Sequence, residues 1–137
     1  MGSPTPLKLL LDTHIWLWSV LDSAKLSPRV ASALQSTDNE LWLSPISFWE
    51  ALLLAERGRV RLGTDPVAWL EKAFERGSFR ETPLNRQIAV ESRSVRLPHQ
   101  DPVDRFLAAT AIVYELTLVT ADERLLRARG VPLLANR

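Results

Sequence analysis

Leu7-Lys8-Leu9-Leu10-Leu11-Asp12 is a nearly continuous apolar run closed by an acid. A strand with one wet face would alternate apolar and polar residues. An almost unbroken aliphatic run of this length instead suits a strand covered on both faces, as in a parallel sheet between helices. Asp12 then stands at the carboxyl end of a buried strand, an unusual place for an acid that only decorates the surface.

Working outward, a helix is predicted from about Thr13 to Val20. A second follows Ser27-Pro28, where serine caps and proline takes the first helical position, and runs to about Gln35. Glu40 to Leu43 reads as a short strand after the turn Thr37-Asp38-Asn39. Ser44-Pro45 then repeats the cap-and-proline signal before a helix ending near Gly58. Asp65-Pro66 opens a helix with Val67, Leu70 and Phe74 at helical spacing, closed by Gly77. Phe79 to Leu84 reads as a weaker strand, and Asn85 caps a helix through about Val95. After the loop Leu97 to Gln100, Asp101-Pro102 starts a helix with an alanine-rich apolar face. Leu116 to Val119 is a strand, Ala121 to Arg129 a final helix ended by Gly130, and Val131 to Leu134 a last strand. Alternating strands and helices predict an α/β layered domain with a mainly parallel sheet, because parallel neighbours need crossover connections.

The 137 residues, 46% hydrophobic, suffice for one core, so residues 7–137 are expected to form one domain behind a flexible leader at Met1 to Pro6. No cysteine is present, which excludes disulfides and thiolate zinc sites and suits a reducing cytoplasm. No apolar run reaches the roughly 18 residues of a membrane span. Net charge is only +1, yet the basic residues are fourteen arginines against Lys8, Lys25 and Lys72. Arginine's planar fork suits phosphate and carboxylate recognition, so a basic rim can surround an acidic pocket; solvated helix faces explain the same residues.

Ligands of open parallel sheets bind beyond the carboxyl ends of the strands. Asp12 ends the first strand, Asp122 follows the strand Leu116 to Val119, Glu50 lies in the helix after the second strand, and Asp101 and Asp104 start the helix before Leu116. Capping is the competing account for Asp101 and Asp122. Glu50, between Phe48-Trp49 and Ala51 to Leu54, is a carboxylate in an apolar setting that calls for a partner or a metal. Carboxylates gathered in one pocket repel each other, and a hard divalent ion, Mg²⁺ or Mn²⁺, removes the conflict. Such an ion supplies the chemistry of phosphodiester hydrolysis. An aspartyl-phosphate mechanism would need a lysine or second catalytic group nearby, and none of the three lysines is at an obvious strand end.

Four motifs, Leu-Leu-Leu-Asp-Thr-His (Leu9 to His14), Ser-Pro-Ile-Ser-Phe-Trp-Glu (Ser44 to Glu50), Asp-Pro-Val-Asp-Arg-Phe-Leu-Ala-Ala-Thr-Ala (Asp101 to Ala111) and Leu-Val-Thr-Ala-Asp (Leu118 to Asp122), occur in this order. In them the chain resembles the PIN-domain ribonucleases, in particular the VapC-type toxins of bacterial toxin–antitoxin pairs, from Leu9 to about Leu134. The resemblance implies a three-layer α/β/α domain with a mainly parallel five-stranded sheet and a metal-dependent endoribonuclease that inhibits translation and growth. It implies Asp12, Glu50, Asp104 and Asp122 as catalytic, metal-binding acids, with Asp101, Thr120 and Arg105 as accessories. Thr120 would orient a carboxylate or water, and Arg105 would pair with an acid or reach substrate.

The resemblance further implies a homodimer and a small antitoxin covering the acidic groove, for which Trp16, Trp18 and Trp49 are candidate contacts. His14 is expected to pack locally and His99 to reach an RNA phosphate, neither as a metal ligand. Acids alone do not separate RNA from DNA, so a structure-specific DNA nuclease of the same fold remains a reading. A catalytically silent, partner-binding domain is another.

Overall fold

A computed structural model describes residues 6–137; the expected leader at Met1 to Pro6 therefore lies, but for Pro6, outside the described residues. Five strands, β1 (Lys8–Leu11), β2 (Glu40–Leu43), β3 (Arg80–Glu81), β4 (Thr117–Thr120) and β5 (Leu133–Ala135), form one sheet in the order β3-β2-β1-β4-β5. Every pairing is parallel, with Leu10 beside Trp42 on one side and Leu118 on the other. The helices are α1 (Thr13–Leu21), α2 (Pro28–Gln35), α3 (Pro45–Glu56), α4 (Pro66–Arg76), α5 (Arg86–Glu91) and α6 (Pro102–Val113). Ser27, Ser44, Asp65, Asn85 and Asp101 cap their helices as the sequence predicts.

The opening strand shows why the sheet is covered twice. Successive side chains alternate faces, so Leu9 and Leu11 join one core with Ile15, Trp16, Val30, Leu43, Ala51 and Leu70, under α1 to α4. Leu10 joins the other with Ile88, Val103, Leu107 and Leu118, under α5 and α6. All three leucines are fully buried. The result is the α/β/α sandwich expected from the run Leu7 to Leu11.

Three elements are shorter than predicted. The strand read over 79–84 pairs only at Arg80 and Glu81. Thr82 still donates to the Leu43 carbonyl (2.8 Å), but Pro83 has no N–H and the ladder stops. The helix after Asn85 ends at Glu91 rather than near Val95, because the carbonyls of Ser92, Arg93 and Val95 accept from the Arg105 guanidinium. The predicted final helix over 121–129 is a single 3-10 turn, Leu125–Arg127. Asp122 takes the N–H groups of Arg124 and Leu125, and Arg129 is drawn into a bridge with Arg96 (N–H to carbonyl, 3.1 Å).

Candidate active site

The sheet is wound outward in both directions from β1, through β2 to β3 on one side and through β4 to β5 on the other. The carboxyl ends of β1 and β4 therefore flank the point where the winding reverses, where such sheets form a crevice. A cavity of about 330 Å³ opens there, lined by Asp12, Glu50, Asp101, Asp104 and Asp122 together with Thr13, His14, Trp18 and Arg124. Acids drawn from four separate stretches of chain thus share one pocket. A larger cavity, about 650 Å³, lies between α1, α2 and α4; its lining is largely apolar, with Leu26, Leu34, Trp69 and Phe79, and contains no acid.

Asp12 leaves β1 and caps α1. Its N–H donates to the Val119 carbonyl (3.1 Å), one oxygen accepts from the Ile15 N–H (2.8 Å), and the other accepts the Thr120 hydroxyl. The same hydroxyl accepts from the Asp122 N–H (3.0 Å), so Thr120 ties the ends of β1 and β4 together. Its hydroxyl thus donates to one of the cavity carboxylates. Burial pushes the Asp12 carboxyl up to about 6, against the lowering effect of the Thr120 and Ile15 hydrogen bonds. Asp12 is thus both helix cap and cavity acid.

Asp104, in the first turn of α6, is also raised, by burial first and then by Asp101 and Asp122, while His99 opposes the shift. Asp122 behaves differently. Burial pushes it up, but hydrogen bonds from the backbone and side chain of Arg124 and from the Leu125 N–H outweigh burial and leave it below the ordinary range. Asp101 caps α6 through the Val103 and Asp104 N–H groups (2.9 and 3.3 Å). Glu50 lines the cavity but is only half-buried, beside a Trp49 that is 54% exposed, so the sealed apolar setting read from its neighbours is not what α3 provides.

Arg105 does not do what the sequence suggested. It is 5% exposed, and its donors go to backbone carbonyls of the 92–99 segment rather than to an acid or to the cavity. His99 is placed against Asp104, Nε2 to Oδ2 at 2.7 Å, and not on the outer surface facing a phosphate. His14, expected to pack locally, lies with its ring centroid 5.9 Å from that of Trp18 and also lines the cavity. Trp16 is fully buried against Phe48 and Phe79, which removes it from the candidate partner contacts. Arg124 was not singled out from the sequence; among the described residues it is the one arginine lining the cavity. Its position two residues after Asp122, in a turn the sequence presents as helix, concealed it.

The donor set fits a hard divalent cation. The acids offer only oxygen donors, and the buried Thr13 hydroxyl in the cavity wall has no hydrogen-bond partner among the described residues. Among the described residues no three acid or histidine side chains stand close enough to form a preformed coordination shell.

Residues 9–131 match the PIN domain family. The chain is 34% identical to Ribonuclease VapC22 of Mycobacterium tuberculosis over 120 residues, 85% of this chain and 88% of that protein. Its fold is similar to chains in VapBC2 from Rickettsia felis bound to a promoter DNA fragment (TM-score 0.70, 16% identity, 94% of this chain and 98% of that one). It is also similar to DNA-bound VapBC from Salmonella typhimurium (TM-score 0.65, 18% identity, 96% of this chain and 99% of that one). With the family matched over residues 9–131 and the acids at the switch point of the sheet, this chain belongs to the PIN-domain family.

Proposed function

We propose that the chain is a metal-dependent endoribonuclease, the toxin of a toxin–antitoxin pair that inhibits translation and growth, with residues 7–137 as the nuclease unit. The observation that carries this reading is the convergence of five carboxylates on one cavity at the switch point of the sheet, in a chain related to a ribonuclease. Asp12, Glu50, Asp104 and Asp122 would hold Mg²⁺ or Mn²⁺, with Asp101 as an accessory that caps α6. When bound, the cation supplies an acidified water and charge stabilisation at the phosphoryl oxygen.

The protein's own contribution is placement. Thr120 and the Ile15 N–H hold both oxygens of Asp12, so that acid does not reorganise when an ion arrives. Arg124, exposed at the cavity and beside Asp122 (3.5 Å), supplies a cation to meet an RNA phosphate approaching the acids. A small antitoxin is the partner of this reading: the similar folds come from VapBC structures, and Trp49, Val20 and Leu21 offer exposed apolar contacts. The reading also includes a homodimer in the cytoplasm; no helix among the described residues is long and apolar enough to cross a membrane.

The decisive experiment incubates the purified chain with single-stranded RNA or DNA and Mn²⁺. RNA cleavage is expected, falling by roughly 10²- to 10⁴-fold in Asp12→Asn, the loss of several kcal/mol of electrostatic stabilisation. Unimpaired cleavage by Asp12→Asn would exclude the mechanism, and cleavage of DNA alone would move the assignment to a DNA nuclease.

A further inference from the structure

Arg105 and His99 form a closed circuit around one member of the acid cavity. Arg105 follows Asp104 in α6 and turns inward: Nε donates to the Ser92 carbonyl (2.9 Å), Nη1 to that of His99 (3.2 Å), and Nη2 to those of Val95 (3.0 Å) and Arg93 (3.3 Å). Among the described residues it enters no ion pair. A buried cation whose partners are all neutral carbonyls is costly to keep in a fold. What the guanidinium's rigid fork provides is shape, because it holds the segment 92–99, which has no helix or strand of its own, at four places.

The far end of that segment is His99, whose Nε2 reaches Asp104 Oδ2 at 2.7 Å; the two side chains are only 12% and 14% exposed. With Asp104 ionised, as a cation ligand must be, its oxygen can only accept, and the ring nitrogen is the donor of this hydrogen bond. The circuit therefore begins and ends on adjacent residues of α6.

We propose that His99, held in place by Arg105, is a positioning residue for Asp104: its ring N–H occupies Oδ2 and turns Oδ1 toward a divalent cation in the cavity. The proposal rests on the metal-nuclease reading above. An acid in the first turn of a helix is otherwise drawn to the free N–H groups of that turn, and the N–H of Asp104 is already directed at Asp101. A histidine hydrogen-bonded to a ligating carboxylate orients that ligand, and losing such an outer partner typically weakens metal binding about 10- to 100-fold. In this arrangement His99 is a hydrogen-bond partner of a ligating carboxylate and not itself a ligand.

The test measures Mn²⁺ affinity of the full chain by calorimetry without RNA, alongside circular dichroism and RNA-cleavage kinetics. His99→Leu should weaken Mn²⁺ binding about 10-fold or more while the circular-dichroism spectrum stays that of the wild type. His99→Gln, whose amide N–H can reach the same oxygen, should recover most of the affinity, a rescue that a purely space-filling role for His99 does not produce. Arg105→Lys keeps the charge but loses the fork, and should reproduce the His99→Leu loss without adding to it in the double variant. Unchanged Mn²⁺ affinity in His99→Leu, or no recovery in His99→Gln, overturns the proposal and leaves the nuclease reading standing. A wild type that binds Mn²⁺ and cuts no RNA fails the nuclease reading, while His99→Leu still decides the positioning role. A wild type that binds no Mn²⁺ overturns both.

Discussion

At the scale of single residues, Asp12 carries opposing demands. Its carboxyl closes a strand with no exposed leucine, caps α1 and faces other acids, and burial lifts it to about 6 from the ordinary 3.8. The folded protein therefore holds a proton on Asp12 that the unfolded chain has lost between pH 4 and 6. Stability consequently falls as pH rises through that window and stays reduced above it, by about 3 kcal/mol at the usual 1.36 kcal/mol per pH unit. Asparagine keeps the cap and the acceptor for Ile15 without the charge. In EDTA, Asp12→Asn should be more stable than wild type by about 1–3 kcal/mol at pH 7.5 and equal to it near pH 3.5, measured by urea unfolding; equal stability at both pH values would contradict the buried charge. The sequence showed that Asp12 is misplaced as a surface acid but not how its two oxygens are shared between the Ile15 N–H and the Thr120 hydroxyl, since Thr120 reaches it only through the pairing of β1 with β4.

At the scale of elements, the turn after β4 separates two roles that the sequence left entangled. Asp122 binds the N–H groups of Arg124 and Leu125 and also lines the cavity. Asn caps as well as Asp, whereas Ala does not. Asp122→Asn should therefore keep the thermal midpoint while cleavage falls about 10-fold, and Asp122→Ala should lose about 1 kcal/mol of stability in addition. Cleavage that follows stability alone across the two variants would reduce Asp122 to a cap. The end of α4 is constrained by packing instead. A β-carbon at Gly77 would lie 2.2 Å from the Phe79 ring, which stacks with Phe74 and meets Trp16 edge-on. Gly77→Ala should cost about 1–3 kcal/mol in denaturant unfolding, because the ring has neighbours on both sides.

At the scale of the whole molecule, the sheet order is what turns distant acids into one site. A cation that binds the folded cavity and not the open chain stabilises the fold by mass action, about 2.7 kcal/mol at one hundred times its dissociation constant. Mn²⁺ should raise the melting temperature by several degrees at pH 7.5, and Asp12→Asn should abolish most of that rise. A rise of equal size in the variant would place the ion elsewhere. The apolar run Leu7 to Leu11, the Ser-Pro and Asp-Pro caps and the four acidic motifs are local signals, and they determined the strand and helix order, the sandwich and the acids. Only the tertiary structure decided the fate of Arg105, the partner of His99, the burial of Trp16 and the loss of the last predicted helix. In each of these a side chain or backbone group meets a partner distant in the chain or brought in by a turn, and such pairings depend on how the sheet is wound rather than on the residues beside them.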